Sequence, residues 1–92
     1  MGRRVHFVAH GGTVQGVGFR YFARRRAAEH GLTGWVRNTA NNKVEGEVQG
    51  ENEAIKAFLK DMDRGPKHAH VVRLDKEDRD PVEGDSAFEI RH

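Results

Sequence analysis

Apolar residues recur along the chain with two periods. Within residues 4–14, Val5, Phe7 and Ala9 alternate with His6, Val8 and His10, the pattern of a strand with one buried face. Val14 falls out of step with the odd-numbered set, and a β-bulge at Gly11-Gly12 would restore the parity. Over 19–30 the spacing becomes helical, with Phe19, Phe22, Ala23, Ala27 and Ala28 on one face and Gly31 placed as a C-terminal cap. Residues 32–38 and 43–50 are short and β-rich. The second sets Val44, Gly46 and Val48 against Glu45, Glu47 and Gln49. Asn41-Asn42 between them suits a tight turn, because asparagine tolerates positive φ. Residues 53–63 form the clearest helix, with Ile55, Phe58, Leu59 and Met62 at i, i+3, i+4 and i+7, Asn52 as N-cap and Gly65-Pro66 as terminator. Strands are expected at 69–77 and 87–92, joined by the polar loop DRDPVEGDS.

The resulting order is β-α-β-β-α-β with one more strand. It predicts an α+β class, a ferredoxin-like sandwich in which an antiparallel sheet carries two helices on one face and a short extra C-terminal strand. Residues 4–92 are expected to form a single domain, since 92 residues suffice for one modest core. That fold by itself implies no function.

Composition narrows the chemistry. The chain has no cysteine, which excludes disulfides, thiolate metal sites and a cysteine nucleophile. No apolar run reaches the length of a membrane span, and MGRRVHFV lacks a secretory apolar region, so a cytoplasmic protein is the expectation. A monomer is the plain expectation for its assembly. Net charge is +2, and Arg24, Arg25 and Arg26 form the densest cluster. That run reads as a solvated helix face or as an anion-attracting field beside a site.

Two stretches carry candidate chemistry. QGVGFR, Gln15 to Arg20, falls between a strand and a helix N-terminus. Gly16 and Gly18 would let successive amides turn inward as a nest, and the helix end adds free donors and a positive dipole. Arg20 supplies a permanent charge and a planar fork matched to phosphate oxygens. The stretch is neither a Walker A loop nor a dinucleotide fingerprint, since Tyr21 stands at the third glycine of that motif. Its plainer reading is a glycine-rich turn with Arg20 paired to a surface carboxylate. In GWVRN, 34–38, Asn38 ends a strand, where its amide could donate to one group and accept from another, or merely open the turn. Trp35 reads as a core or cover aromatic and Arg37 as a surface charge. His68 and His70 could share a strand face, but two ligands do not make a metal site, and His6, His10, His30 and His92 show no pairing with a nucleophile.

The stretches TVQGVGFRYFA, LTGWVRNT and VEGEVQG, the GP with AHV, and the terminal FEIRH together resemble the acylphosphatase family, from about Val5 to His92. The resemblance implies the same ferredoxin-like sandwich and hydrolysis of acyl phosphates to a carboxylate and inorganic phosphate. It implies that Arg20, with the loop amides of Gln15, Gly16, Val17, Gly18, Phe19 and Arg20 itself, binds the substrate phosphate. Asn38 would orient the attacking water, and no metal or organic cofactor is implied. The chain departs from the usual family pattern at Thr13, where a basic residue is common, at Gly11-Gly12, which can include an extra residue, and at Asn41-Asn42, where Asp-Gly is frequent. The alternative is a non-catalytic anion-binding or RNA-binding module of the same fold. RNA binding would require aromatics on an open sheet face, and of Phe7, Trp35 and Phe88 at least Phe7 and Phe88 are expected in the core. No nucleic acid or membrane partner is expected.

Overall fold

Val5, Phe7 and Ala9 are buried while His6, Val8 and His10 are partly exposed, as the alternation requires, and they lie on strand β1 (Arg3–His10). The computed structural model describes residues 2–92, and among them β1 is followed by α1 (Phe19–Glu29), β2 (Thr33–Asn38), β3 (Val44–Gly50), α2 (Asn52–Arg64), β4 (Arg73–Arg79) and β5 (Phe88–Arg91). The strands form one sheet in the order β4-β1-β3-β2-β5. The first four pair antiparallel, as expected for the ferredoxin-like arrangement, whereas the extra strand β5 runs parallel to β2. The sheet is therefore mixed at that edge. The chain leaves β4 on one border and must cross to the other before β5 can pair.

The core lies between the sheet and the two helices. Phe19, Phe22, Ala23 and Ala27 of α1 and Ile55, Phe58, Leu59 and Met62 of α2 are buried against Val5, Phe7, Val36, Val44 and Val48. Ala28, expected on the same apolar face, is exposed. Phe7 and Phe58 meet edge to face with ring centres 5.5 Å apart. Gly46 pairs with Phe7 across β1 and β3, and a Cβ there would fall 2.7 Å from the Phe7 ring. A glycine in mid-strand thus makes room for the aromatic ring.

Four local expectations are revised. The first strand ends at His10, and the pairing resumes in the same register at a single Thr13–His70 bridge, so Gly11-Gly12 inserts no bulge. The His70 carbonyl instead lies 1.9 Å from where a Cβ on Gly11 would sit, a close approach that requires glycine. Asn52 is the first helical residue rather than the cap of α2; the cap position is Glu51, without a side-chain bond, and the Asn52 amide oxygen accepts from Arg3 Nη1 at 3.0 Å. The fourth strand starts at Arg73, because Pro66 to Ala69 form a turn closed by Ala69 N donating to the Pro66 carbonyl at 3.0 Å. The last strand is confined to Phe88–Arg91. By contrast, Gly31 ends α1 as expected. Its φ is 68°, and Gly31 and Leu32 donate back to the carbonyls of Ala28 and Ala27 in a Schellman motif. Among the described residues, no helix is long and apolar enough to cross a membrane.

Candidate active site

The loop between β1 and α1 is anchored by apolar side chains and opened by glycines. Val14 and Phe19 are buried and Val17 packs on the core, while Gly16 and Gly18 are exposed with φ of 76° and 74°. Left-handed glycines on either side of Val17 are what allows successive amides to face one way. Among the described residues, none of the N–H groups of Gln15, Gly16, Val17 or Gly18 is donated to a protein acceptor. Gly18 also caps α1 with no side-chain bond, no acidic residue stands in the first turn, and the first helical bond runs from Phe22 N to the Gly18 carbonyl at 2.9 Å. The positive end of α1 is left uncompensated.

Arg20 projects from that first turn. Among the described residues it pairs with no carboxylate, so the surface ion pair that was its plainer reading is not formed. Its Nη1 instead lies 3.2 Å from His92 Nδ1 and 3.5 Å from the Arg91 carbonyl. β5 thus flanks the guanidinium without neutralising it. Asn38 ends β2, opposite Val44 in the ladder. Its side chain takes no part in the turn, whose side-chain bonds come from Thr39, with Oγ1 donating to Asn41 Oδ1 at 2.6 Å and accepting from Lys43 N at 3.0 Å. Val14, Gly16, Gly18, Phe19, Arg20, Tyr21 and Asn38 line one cleft of about 90 Å³. The two side chains singled out in the sequence, 18 positions apart, therefore share one small cavity with the glycine loop.

The Gln15 side chain makes a contact of its own. Its Nε2 donates to the Thr39 and Lys43 carbonyls, both at 2.8 Å, and so fastens the glycine loop to the turn beyond Asn38. Nothing in the sequence signals this contact or the approach of Arg91 and His92 to Arg20, because the partners lie 24 to 72 positions apart. His68 and His70 do not share a strand: the first lies in the turn and the second in the isolated bridge. Among the described residues, no group of three or more His, Asp or Glu side chains gathers at metal-binding distance.

The acylphosphatase family model matches residues 5–90. The chain belongs to the acylphosphatase family. An acylphosphatase from Moorella thermoacetica is 47% identical over 88 residues, covering 96% of this chain and 92% of that one. An acylphosphatase from Geobacillus kaustophilus is 42% identical over 90 residues, covering 98% and 95%. The structure of an acylphosphatase from Coxiella burnetii superposes with a TM-score of 0.90 at 36% identity, covering 98% of this chain and 93% of that one. Membership of the acylphosphatase family makes the chain a hydrolase and sets aside the purely non-catalytic alternative.

Proposed function

We propose that the chain hydrolyses acyl phosphates in the cleft between the glycine loop and Asn38. The loop amides of Gln15 to Arg20 and the Arg20 guanidinium hold the phosphoryl group. Asn38 accepts from and aims the attacking water in line with the bond that breaks. The water oxygen bonds to phosphorus, the P–O bond to the acyl group breaks, and the carboxylate leaves with the electron pair. The water's proton ends on a phosphate oxygen, so the products are a carboxylate and inorganic phosphate.

The reading needs no acidic or basic side chain at the reacting atoms. A carboxylate is a weakly basic leaving group, and phosphoryl transfer depends mainly on positioning and on compensating charge at the equatorial oxygens. The observation that carries the proposal is that, among the described residues, an arginine without a counter-charge lies beside donor amides without acceptors, in one cleft with an unengaged asparagine. Preorganised donors of this kind contribute most of the stabilisation in such sites. We read the enzyme as a metal-independent cytoplasmic monomer that uses no organic cofactor and binds no nucleic acid. Phe7 and Phe88 pack against the Phe58 ring, so Trp35 is left as the aromatic of the open sheet face, and Arg37 and Arg91 stack on it at 6.0 and 4.8 Å.

The test is hydrolysis of benzoyl phosphate in EDTA by the parent chain, Arg20→Ala and Asn38→Ala. The parent turns over rapidly, and each variant loses at least about a hundredfold in kcat/KM. Inhibition by inorganic phosphate weakens in Arg20→Ala and stays within about twofold in Asn38→Ala. Lost phosphate binding in a folded Asn38→Ala protein would count against the division of roles.

A further inference from the structure

The arginine run after the glycine loop splits between two environments. The Arg24 guanidinium packs over the Tyr21 ring, 5.4 Å from its centre. Arg25 and Arg26 instead line a second cavity, which shares no lining residue with the Arg20 cleft. This groove holds about 420 Å³ between α1 and the turn that follows α2. Its charged lining is Arg25, Arg26, Arg64 and Lys67, and its floor includes Phe22 and Pro66. Four cations from two segments thus converge on one concavity.

The nearby carboxylates do not balance them. Asp61 is 3.8 Å from Arg26 Nε, 3.4 Å from Arg64 Nη2 and 3.4 Å from His30 Nε2, so one acid serves three partners. Glu29 takes Arg26 Nη1 at 2.9 Å. Among the described residues, Arg25 and Lys67 form no ion pair at all. Arg26 Nε is buried and, among the described residues, has no hydrogen-bond partner, while its guanidinium packs over the Phe22 ring, 5.4 Å from the centre.

We infer that the groove lined by Arg25, Arg26, Arg64 and Lys67 is a second anion site, built for an oligophosphate chain rather than a single phosphate. The charges come from two segments, α1 and the end of α2 with the turn after it, around one open groove, which suits an anion of several linked phosphates reaching both segments. A nucleic acid would instead require a basic stripe and a strongly positive molecule, and the net charge here is +2. Arginine forks grip phosphate oxygens in pairs, while Lys67 serves as a point charge. A bound oligophosphate ties α1, which bears Arg20, to the turn after α2.

Calorimetric titration of inorganic tripolyphosphate into Arg20→Ala tests the site with the cleft disabled. Binding of one equivalent is expected, weakening as salt rises because the cations are solvent-facing. Adding Arg25→Gln and Lys67→Gln should reduce that affinity at least about tenfold. The same pair in the parent chain should leave benzoyl phosphate hydrolysis unchanged. ATP without divalent metal binding as tightly as tripolyphosphate shows that the phosphate chain alone is read; tighter binding places the base on the Phe22 and Pro66 floor. If Arg20→Ala abolishes all tripolyphosphate binding, or if the double substitution leaves affinity untouched, the second site does not exist. Either result stands apart from the hydrolysis assay, which reports on the Arg20 cleft alone.

Discussion

Gly16 and Gly18 are exposed, and a Cβ at either would meet nothing within 4 Å, so space does not demand glycine there. Their φ values of 76° and 74° do. An alanine held in that region costs about 1 kcal/mol, or the loop relaxes out of it. Gly18→Ala is therefore expected to lower stability by about that amount and to reduce kcat/KM, since the amides lose their common direction. Gly12→Ala is the control: it has open space and no left-handed φ, and both the melting temperature and kcat/KM should hold. Gln15→Leu removes both bonds to the hairpin turn. It is expected to cost about 1–2 kcal/mol in chemical denaturation and to raise KM for benzoyl phosphate several-fold. An unchanged KM would separate Gln15 from the site. The glycine conformations were legible in QGVGFR because φ is a local property. The grip of Gln15 on Thr39 and Lys43 was not, because no local pattern encodes which distant carbonyls a side chain reaches.

Adjacent strands are joined on the open face by charged ladders. Glu45 on β3 bonds His6 on β1 at 2.9 Å and Arg37 on β2 at 2.8 Å. Burial pushes the Glu45 carboxyl up, but the hydrogen bonds from His6 and Arg37 and their charges outweigh it and hold its pKa below the usual carboxylate range. A carboxyl with a depressed folded pKa stabilises fully above its unfolded value, about 4.3, and loses that contribution as the pH falls through the folded value. Glu45→Gln should thus be less stable than the parent at pH 7, by about 1 kcal/mol, and the gap should close as the pH drops below about 4. Urea melts at several pH values measure it; a gap independent of pH would remove the ion pairs from the account. The existence of both helices and of β1 and β3 followed from the apolar periods, because each period reflects one buried face, whereas β4 is exposed along nearly all its length. Element ends did not. The start of β4 at Arg73 and the cap of α2 at Glu51 depend on what the turn after α2 and Arg3 do in space.

Across the whole molecule, the connection from β4 to β5 crosses between the two borders of the sheet and is tied down on the way. Arg4, 4% exposed, bonds Glu47 and Asp85, and the Gln49 side chain holds both the N–H and the carbonyl of Val82. With both helices sharing one core, residues 4–92 are expected to unfold as one domain: coincident transitions by far-UV and fluorescence signals, and a calorimetric enthalpy equal to the van't Hoff value. Sedimentation should give the 10.4 kDa monomer. Two separate transitions would refute the single domain. The sequence by itself determined the element order, the core faces of both helices and three strands, and the two motifs that meet in the cleft, because periodicity, glycine conformation and side-chain chemistry are properties of a few neighbouring residues. Only the tertiary structure decided that β5 runs parallel to β2 and flanks Arg20, that Gln15 locks the loop to the hairpin, and that two of the three arginines in the run, Arg25 and Arg26, line a groove completed by Arg64 and Lys67. Each of those joins residues tens of positions apart, and such contacts are set by how the elements pack rather than by any stretch of chain.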